Sequence, residues 1–172
     1  MRLDTGMRHL EAGTVLGQLT LIAEGEALTA VYFPGHWTLP QRASFGERVE
    51  SDTVLDDAAR QLREYLAGER RTFEVTTAPR GNDFQLAVWR LLTEIPYGAT
   101  TTYGALAERL GGRGLAQTVG QAVGHNPLSI IVPCHRVIGS DGSLTGYAGG
   151  LERKRFLLEL EEPAEVKASR LF

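Results

Sequence analysis

Residues 129–150 read SIIVPCHRVIGSDGSLTGYAGG, and the tetrapeptide Pro133-Cys134-His135-Arg136 lies at their centre. Cys134 is the one cysteine of the chain. A single free cysteine most often serves as small apolar filler in a core. Three neighbours argue for more here. Pro133 closes the strand-like run 129–132, so Cys134 should emerge where a buried strand ends. His135 brings an imidazole to the next residue. The stretches GSDGS and GYAGG add two glycine-rich loops whose backbone groups can approach a ligand closely.

A thiol with its ordinary pKa of about 8.5 is only a few per cent thiolate at neutral pH. A general base corrects this, and a carboxylate that orients the base improves it further. His135 is the candidate base, acting through a bridging water because adjacent side chains point apart. The segment GGLERKRFLLELEE (149–162) offers Glu152, Glu159, Glu161 and Glu162 as orienting carboxylates. Leu151, Leu158 and the Phe156/Leu157 pair are its apolar positions. Glu161 lies close to that stripe and is nominated by periodicity.

Working outward, the 172 residues hold 18 Lys+Arg against 21 Asp+Glu, and the acidic excess falls in residues 1–81. An acidic total speaks against binding nucleic acid by bulk charge, while leaving room for a local basic face. No run reaches the length of a membrane span, and residues 1–13 lack the apolar centre of a signal peptide. One cysteine forms no internal disulfide, and histidines at 9, 36, 125 and 135 have no metal-ligand spacing. These features predict a soluble cytoplasmic protein without zinc or another cofactor and with no membrane partner.

The chain divides by pattern into two parts. In TVLGQLTLIAEGEALTAVYF (14–33), Leu19, Leu21 and Ala23 alternate, a turn follows at Glu24-Gly25-Glu26, and Val31 and Phe33 resume the period. This predicts a β-hairpin. Leu55, Ala58, Ala59, Leu62 and Leu66 mark one helical stripe, with Thr53 and Asp56 as a capping box and Gly68 as the stop. Phe73 and Val75 predict a short strand. Residues 1–77 therefore read as a small α+β domain of structural role, and 78–83 as a linker. Residues 84–172 read as mostly helical: Phe84, Val88, Leu91 and Ile95 share a face, and Pro96 ends the run. TTYGALAERLGG (101–112) and LAQTVGQAVGHNP (115–127) follow as two short helices around a glycine-containing turn, which fits a helix-turn-helix. In such a unit Ala116, Gln117 and Thr118 would meet DNA. The fold class is thus α+β, a small α/β-type domain with antiparallel strands followed by a mostly helical domain containing a helix-turn-helix.

The stretch 131–161, together with NDFQLAVWRLLTEIPYGATTTYGALAERLG (82–111), closely resembles the O6-alkylguanine-DNA alkyltransferases, the self-inactivating DNA repair proteins. The match is dense over residues 82–161 and holds only in outline over the first domain. The resemblance implies that Cys134 takes the alkyl group from guanine O6 and keeps it. It further implies that His135 is the base acting through water, that Glu161 orients it, and that Asn126 braces the active-site turn. Tyr103 would help flip the nucleotide and hydrogen-bond the base, while Val137, Tyr147 and Ala148 would line the pocket. The expected partner is double-stranded DNA carrying O6-alkylguanine, and O4-alkylthymine is a further substrate to consider. The protein would act as a monomer able to assemble cooperatively on DNA, with Ala116, Gln117, Thr118, Tyr103 and Arg136 at the DNA face.

One position departs from the family pattern. Where the recognition helix commonly carries an arginine that fills the gap left by the flipped nucleotide, this chain has Gln117. Glutamine lacks the charge and the planar stacking surface of a guanidinium. Two other readings stay open on sequence: an alkyltransferase-like lesion binder with little transfer, and a Cys-His-Glu hydrolase that turns over.

Overall fold

In the computed structural model, residues 6–36 and 39–169 are described. The expectations for residues 1–5 and for the last three residues lie outside them. The chain forms two compact units, residues 1–82 with 127–131, and residues 83–126 with 132–172. Residues 127–131, assigned by sequence to the second domain, thus belong to the first unit.

The first unit is built on a four-stranded sheet of order β3-β2-β1-β4. Its strands are β1 (Arg8–Thr14), β2 (Gly17–Glu24), β3 (Ala27–Tyr32) and β4 (Glu47–Arg48). The hairpin predicted over 14–33 is present as antiparallel β2 and β3, with Leu21 opposite Val31 and Gly25 at φ +59 in the turn. The sequence reading missed β1, which pairs antiparallel to β2 from Arg8↔Ala23 to Thr14↔Gly17. Its burial does not alternate cleanly, so a period-2 pattern is hard to see.

α1 (Thr53–Leu66) packs on this sheet through the predicted stripe. Leu55 and Leu62 have no exposed surface, and burying each leucine contributes about 1.5–3 kcal/mol. The cap sits one residue earlier than predicted: the Asp52 carboxylate accepts from Leu55 N–H, and Asp56 accepts from Asp52 N–H. Gly68, at φ +79, ends the helix as expected. The strand predicted around Phe73 and Val75 does not form. Only Thr77 bridges to Leu28, because residues 76–78 bond that one residue from both sides.

The second unit contains α2 (Asp83–Leu92), α3 (Tyr103–Arg109), α4 (Ala116–Gly124), α5 (Leu151–Glu161) and α6 (Ala164–Ser169). The Thr102 side chain caps α3 by accepting from Ala105 N–H. Arg113–Leu115 form a single 3-10 turn between α3 and α4. Trp89 Nε1–H donates to Ala122 O at 2.8 Å and ties α2 to α4. Two short parallel strands, β5 (Thr101–Thr102) and β6 (Val137–Ile138), pair Thr101 with Val137. This pairing brings the start of α3 beside the segment that leaves Cys134.

One expectation is corrected in these elements. The run 129–132 is a turn rather than a strand, since Ile130 has φ +72 and Ile131 N–H bonds back to Ser129 O. The segment after Glu162 winds into α6, exposed as far as its side chains are described. Among the described residues no helix is long and apolar enough to cross a membrane.

Candidate active site

Cys134 opens a 3-10 turn, Cys134–Arg136, whose three residues are all buried. The Cys134 N–H bonds Val132 O at 2.8 Å and the Arg136 N–H bonds Pro133 O at 3.0 Å, so the turn is held by its own backbone. Asn126, 2 % exposed at the end of α4, donates from Nδ2 to Val132 O at 2.9 Å and also hydrogen-bonds the thiol. Tyr147 also acts on the thiol from close by. Burial pushes the Cys134 thiol up, while Asn126, the nearby Lys154 charge and Tyr147 pull the other way without cancelling it. At rest the sulfur therefore keeps its proton.

His135 is fully buried, and burial holds its imidazole well below the usual histidine range, with Arg136 and Lys154 adding to the effect. The ring is neutral. Its Nε2 lies 2.8 Å from Glu161 Oε2, and its Nδ1 has no hydrogen-bond partner among the described residues. A neutral ring beside a carboxylate places its hydrogen on Nε2, which leaves Nδ1 a bare acceptor.

Glu161 ends α5 and is 3 % exposed. Arg136 grips it with two hydrogen bonds, Nε to Oε1 at 2.7 Å and Nη2 to Oε2 at 2.9 Å. The Gly98 N–H is a further partner. Burial pushes the Glu161 carboxyl up to about 8 and the Arg136 guanidinium down to about 10. Every one of these contacts offers Glu161 a hydrogen, so the anion is the form they select; a protonated acid would set its own hydrogen against one of the donors. Gly98 adopts φ +84, and a Cβ there would stand 3.0 Å from Glu161 O, so this turn requires glycine.

Lys154 is wholly buried one turn into α5. Its ammonium donates to Val137 O at 2.7 Å and to Thr145 O at 2.8 Å. Burial lowers its pKa to about 8, and the neighbouring Cys134 raises it again. On the other side, Tyr103 begins α3, its ring against Gly120 and its hydroxyl accepting from Thr145 Oγ1 at 3.1 Å. Burial raises the phenol, the Thr145 hydrogen bond lowers it, and a thiolate formed at Cys134 would raise it further.

This geometry has counterparts among known proteins. A family model described as the DNA binding domain of 6-O-methylguanine DNA methyltransferase matches residues 83–163. A second, its ribonuclease-like domain, matches residues 10–79. The chain belongs to the 6-O-methylguanine DNA methyltransferase family. A methylated-DNA–protein-cysteine methyltransferase of Mycobacterium tuberculosis is 48 % identical over 162 residues, 88 % of this chain and 92 % of that one. One from Methanosarcina acetivorans is 53 % identical over 113 residues, 66 % of this chain and 72 % of that one. Among solved structures, the crystal structure of the Mycobacterium tuberculosis O6-methylguanine methyltransferase superposes with a TM-score of 0.80 at 42 % identity, covering 94 % of this chain and 98 % of that one. The same TM-score is reached by the Mycobacterium tuberculosis protein in complex with DNA, at 43 % identity over 92 % of this chain and 97 % of that one.

Within this methyltransferase, the residues singled out from sequence fall into two groups. Cys134, His135, Glu161, Asn126, Tyr147 and Val137 are buried around the turn, with Tyr103 at its side and Ala148 half-buried on the adjoining loop. Ala116, Gln117 and Thr118 open α4, with Gln117 and Thr118 exposed. Arg136 does not fit its expected place at a DNA face. Its guanidinium is spent inside on Glu161, on Ile95 O at 2.6 Å and over the Tyr97 ring. Arg113, by contrast, is exposed, ion-paired to Glu108 and laid against Gly104.

The sequence reading missed Lys154, Thr145 and Gly98. The Arg153-Lys154-Arg155 run reads as a solvated face, yet Lys154, Leu157 and Glu161 are the buried residues of α5 while Leu151 is 44 % exposed. A signal existed: placing Glu161 inward at i+7 places residue 154 inward as well.

Proposed function

We propose that this methyltransferase performs direct-reversal DNA repair, moving the alkyl group of O6-alkylguanine in DNA to Cys134 in one irreversible turnover. The observation that carries the reading is the neutral, buried His135, bonded at Nε2 to Glu161 and open at Nδ1, on the residue next to the only thiol. A burial-raised thiol needs such a base.

In the reaction, His135 Nδ1 takes the Cys134 proton through a water, and Glu161 stabilises the imidazolium that forms. Sγ attacks the alkyl carbon, the carbon–O6 bond breaks, and its electron pair leaves with the guanine. Tyr103 then donates a proton to the leaving base, where negative charge develops, and the proton held by the imidazolium returns through solvent to the phenolate. The products are a thioether at Cys134 and unmodified guanine; nothing regenerates the thiol. The Lys154 ammonium lowers the cost of thiolate charge from behind the turn, and the Val137 carbonyl keeps a lone pair for the guanine amino group. Because O6 is inaccessible inside stacked DNA, the nucleotide must rotate out of the helix. In this reading α3 and α4 act as a helix-turn-helix on DNA, with Gln117 and Thr118 at the strand and Gln117 in the gap. The family placement favours transfer over lesion sensing, and Cys134 supplies the acceptor.

Intact mass after mixing with an excess of an O6-methylguanine duplex tests the reading. Transfer predicts a gain of ~14 Da, one CH2, on Cys134 and a burst that stops at one equivalent. Continued turnover would mean a hydrolase. Tight binding with unchanged mass would mean a lesion binder.

A further inference from the structure

Thr145 lies on the glycine-rich loop between β6 and α5 and is exposed, yet its hydroxyl and its backbone carbonyl are both engaged, with different partners. Its side-chain hydroxyl donates to the Tyr103 phenol oxygen at 3.1 Å. Its backbone carbonyl accepts from the buried Lys154 ammonium at 2.8 Å, and that ammonium also holds Val137 O at 2.7 Å. Val137 directly follows the Cys134–Arg136 turn. The residue therefore spans from the phenol at the head of α3 to the cation behind the thiol.

An exposed hydrogen bond between two hydroxyls adds little to stability, because water competes for both partners. Its consequence is orientation. A phenol O–H prefers the plane of its ring, where two directions are open to it. When Thr145 donates to one in-plane lone pair of the Tyr103 oxygen, the Tyr103 hydrogen is left the other direction. That hydrogen is the one Tyr103 must deliver to the leaving guanine. The loop position that makes this possible is held by Lys154, so one buried cation serves both the thiol side and the proton-donor side.

We infer that Thr145 is a positioning residue for alkyl transfer, presetting the Tyr103 hydroxyl so that its proton points at the departing base. The inference rests on the proton-donor reading of Tyr103.

Single-turnover rates on an O6-methylguanine duplex, measured for four variants, test both and separate them. Thr145→Val keeps the shape and removes the hydroxyl, and should slow transfer by about threefold to tenfold, the worth of one oriented hydrogen bond. Thr145→Ser restores the hydroxyl and should react within about twofold of the parent. Tyr103→Phe should be slow, and adding Thr145→Val to it should cost nothing more, because the group Thr145 acts through is gone. A fast Thr145→Val, a slow Thr145→Ser, or a Thr145→Val effect that persists on Tyr103→Phe overturns the assignment of Thr145 alone. A Tyr103→Phe variant as fast as the parent overturns the proton-donor reading and the Thr145 assignment with it.

Discussion

His135 and Glu161 stand 26 residues apart in the chain and meet at 2.8 Å between Nε2 and Oε2, with both side chains withdrawn from solvent. Arg136, the residue after His135, closes on the same carboxylate from its other side. One acid at the end of α5 thus orients the imidazole and neutralises a buried cation. The chemistry of the turn and the attachment of the helix depend on the same two oxygens.

Glu161→Gln should therefore damage stability and rate together. It leaves the Arg136 charge buried without its partner, and breaking a buried pair in this way costs about 3–5 kcal/mol. Urea unfolding should show the loss as a lower midpoint at an unchanged slope. In whatever fraction stays folded, transfer should slow by about 100-fold or more, the usual share of an oriented base. A variant as stable as the parent would mean that Arg136 finds another counter-ion.

The buried imidazole predicts a pH effect of definite sign. In the unfolded chain His135 takes up a proton below about 6.5; in the folded protein burial keeps it neutral well below that. The unfolded state then binds the extra proton, so this group's contribution to stability falls as the pH drops beneath about 6.5, by at most about 1.4 kcal/mol per unit. Urea midpoints at pH 7.5, 6.5 and 5.5 for the parent and for His135→Gln check this. The parent should lose ground relative to the variant towards low pH, and a constant difference would contradict the buried neutral ring.

Lys154→Met should raise the pKa of the Cys134 thiol, because the one positive charge that lowers it from α5 is removed. The pH dependence of iodoacetamide labelling at Cys134 reads this directly, and its midpoint should move upward. The Val137 and Thr145 carbonyls lose their donor at the same time. The buried Val137 acceptor left unpaired costs about 1–3 kcal/mol, so a lower urea midpoint should accompany the shift. An unmoved labelling midpoint would separate Lys154 from the thiol.

Gln117→Arg should speed repair of O6-methylguanine in duplex DNA while leaving the reaction with free O6-benzylguanine nearly unchanged. Gln117 is exposed at the start of α4, so the longer side chain meets no steric obstacle within the fold. A guanidinium adds charge and a flat surface that an amide lacks. Parallel single-turnover rates on both substrates decide the matter; equal changes on the two, or none on either, remove Gln117 from the flipping step.

How much of this was legible in the sequence follows from the range of the interactions. The β2–β3 hairpin and α1 were readable because period-2 alternation, a 3.6-residue stripe and a glycine stop are local signals. Residues 129–132 misled for a local reason: three consecutive apolar residues after Ser129 read as a buried strand, whereas Ile130 turns left-handed and the run folds into a turn. In α5 the hydrophobic pattern failed because its inward face carries Lys154 and Glu161 on either side of Leu157. A buried charge is tolerated only when something distant is paired with it, and periodicity carries no record of the distant partner.

The sequence by itself determined which atoms can react: one thiol, an imidazole beside it, and a nearby acid, in a pattern that named the family. Tertiary structure alone decided what those atoms are. It made His135 neutral with its hydrogen on Nε2, kept the Cys134 proton in place by burial, and turned Arg136 inward. It also set Lys154 behind the turn and brought Tyr103 alongside it through the β5–β6 pairing. Protonation and orientation depend on desolvation and on partners brought in from far along the chain, and both exist only once the chain has folded.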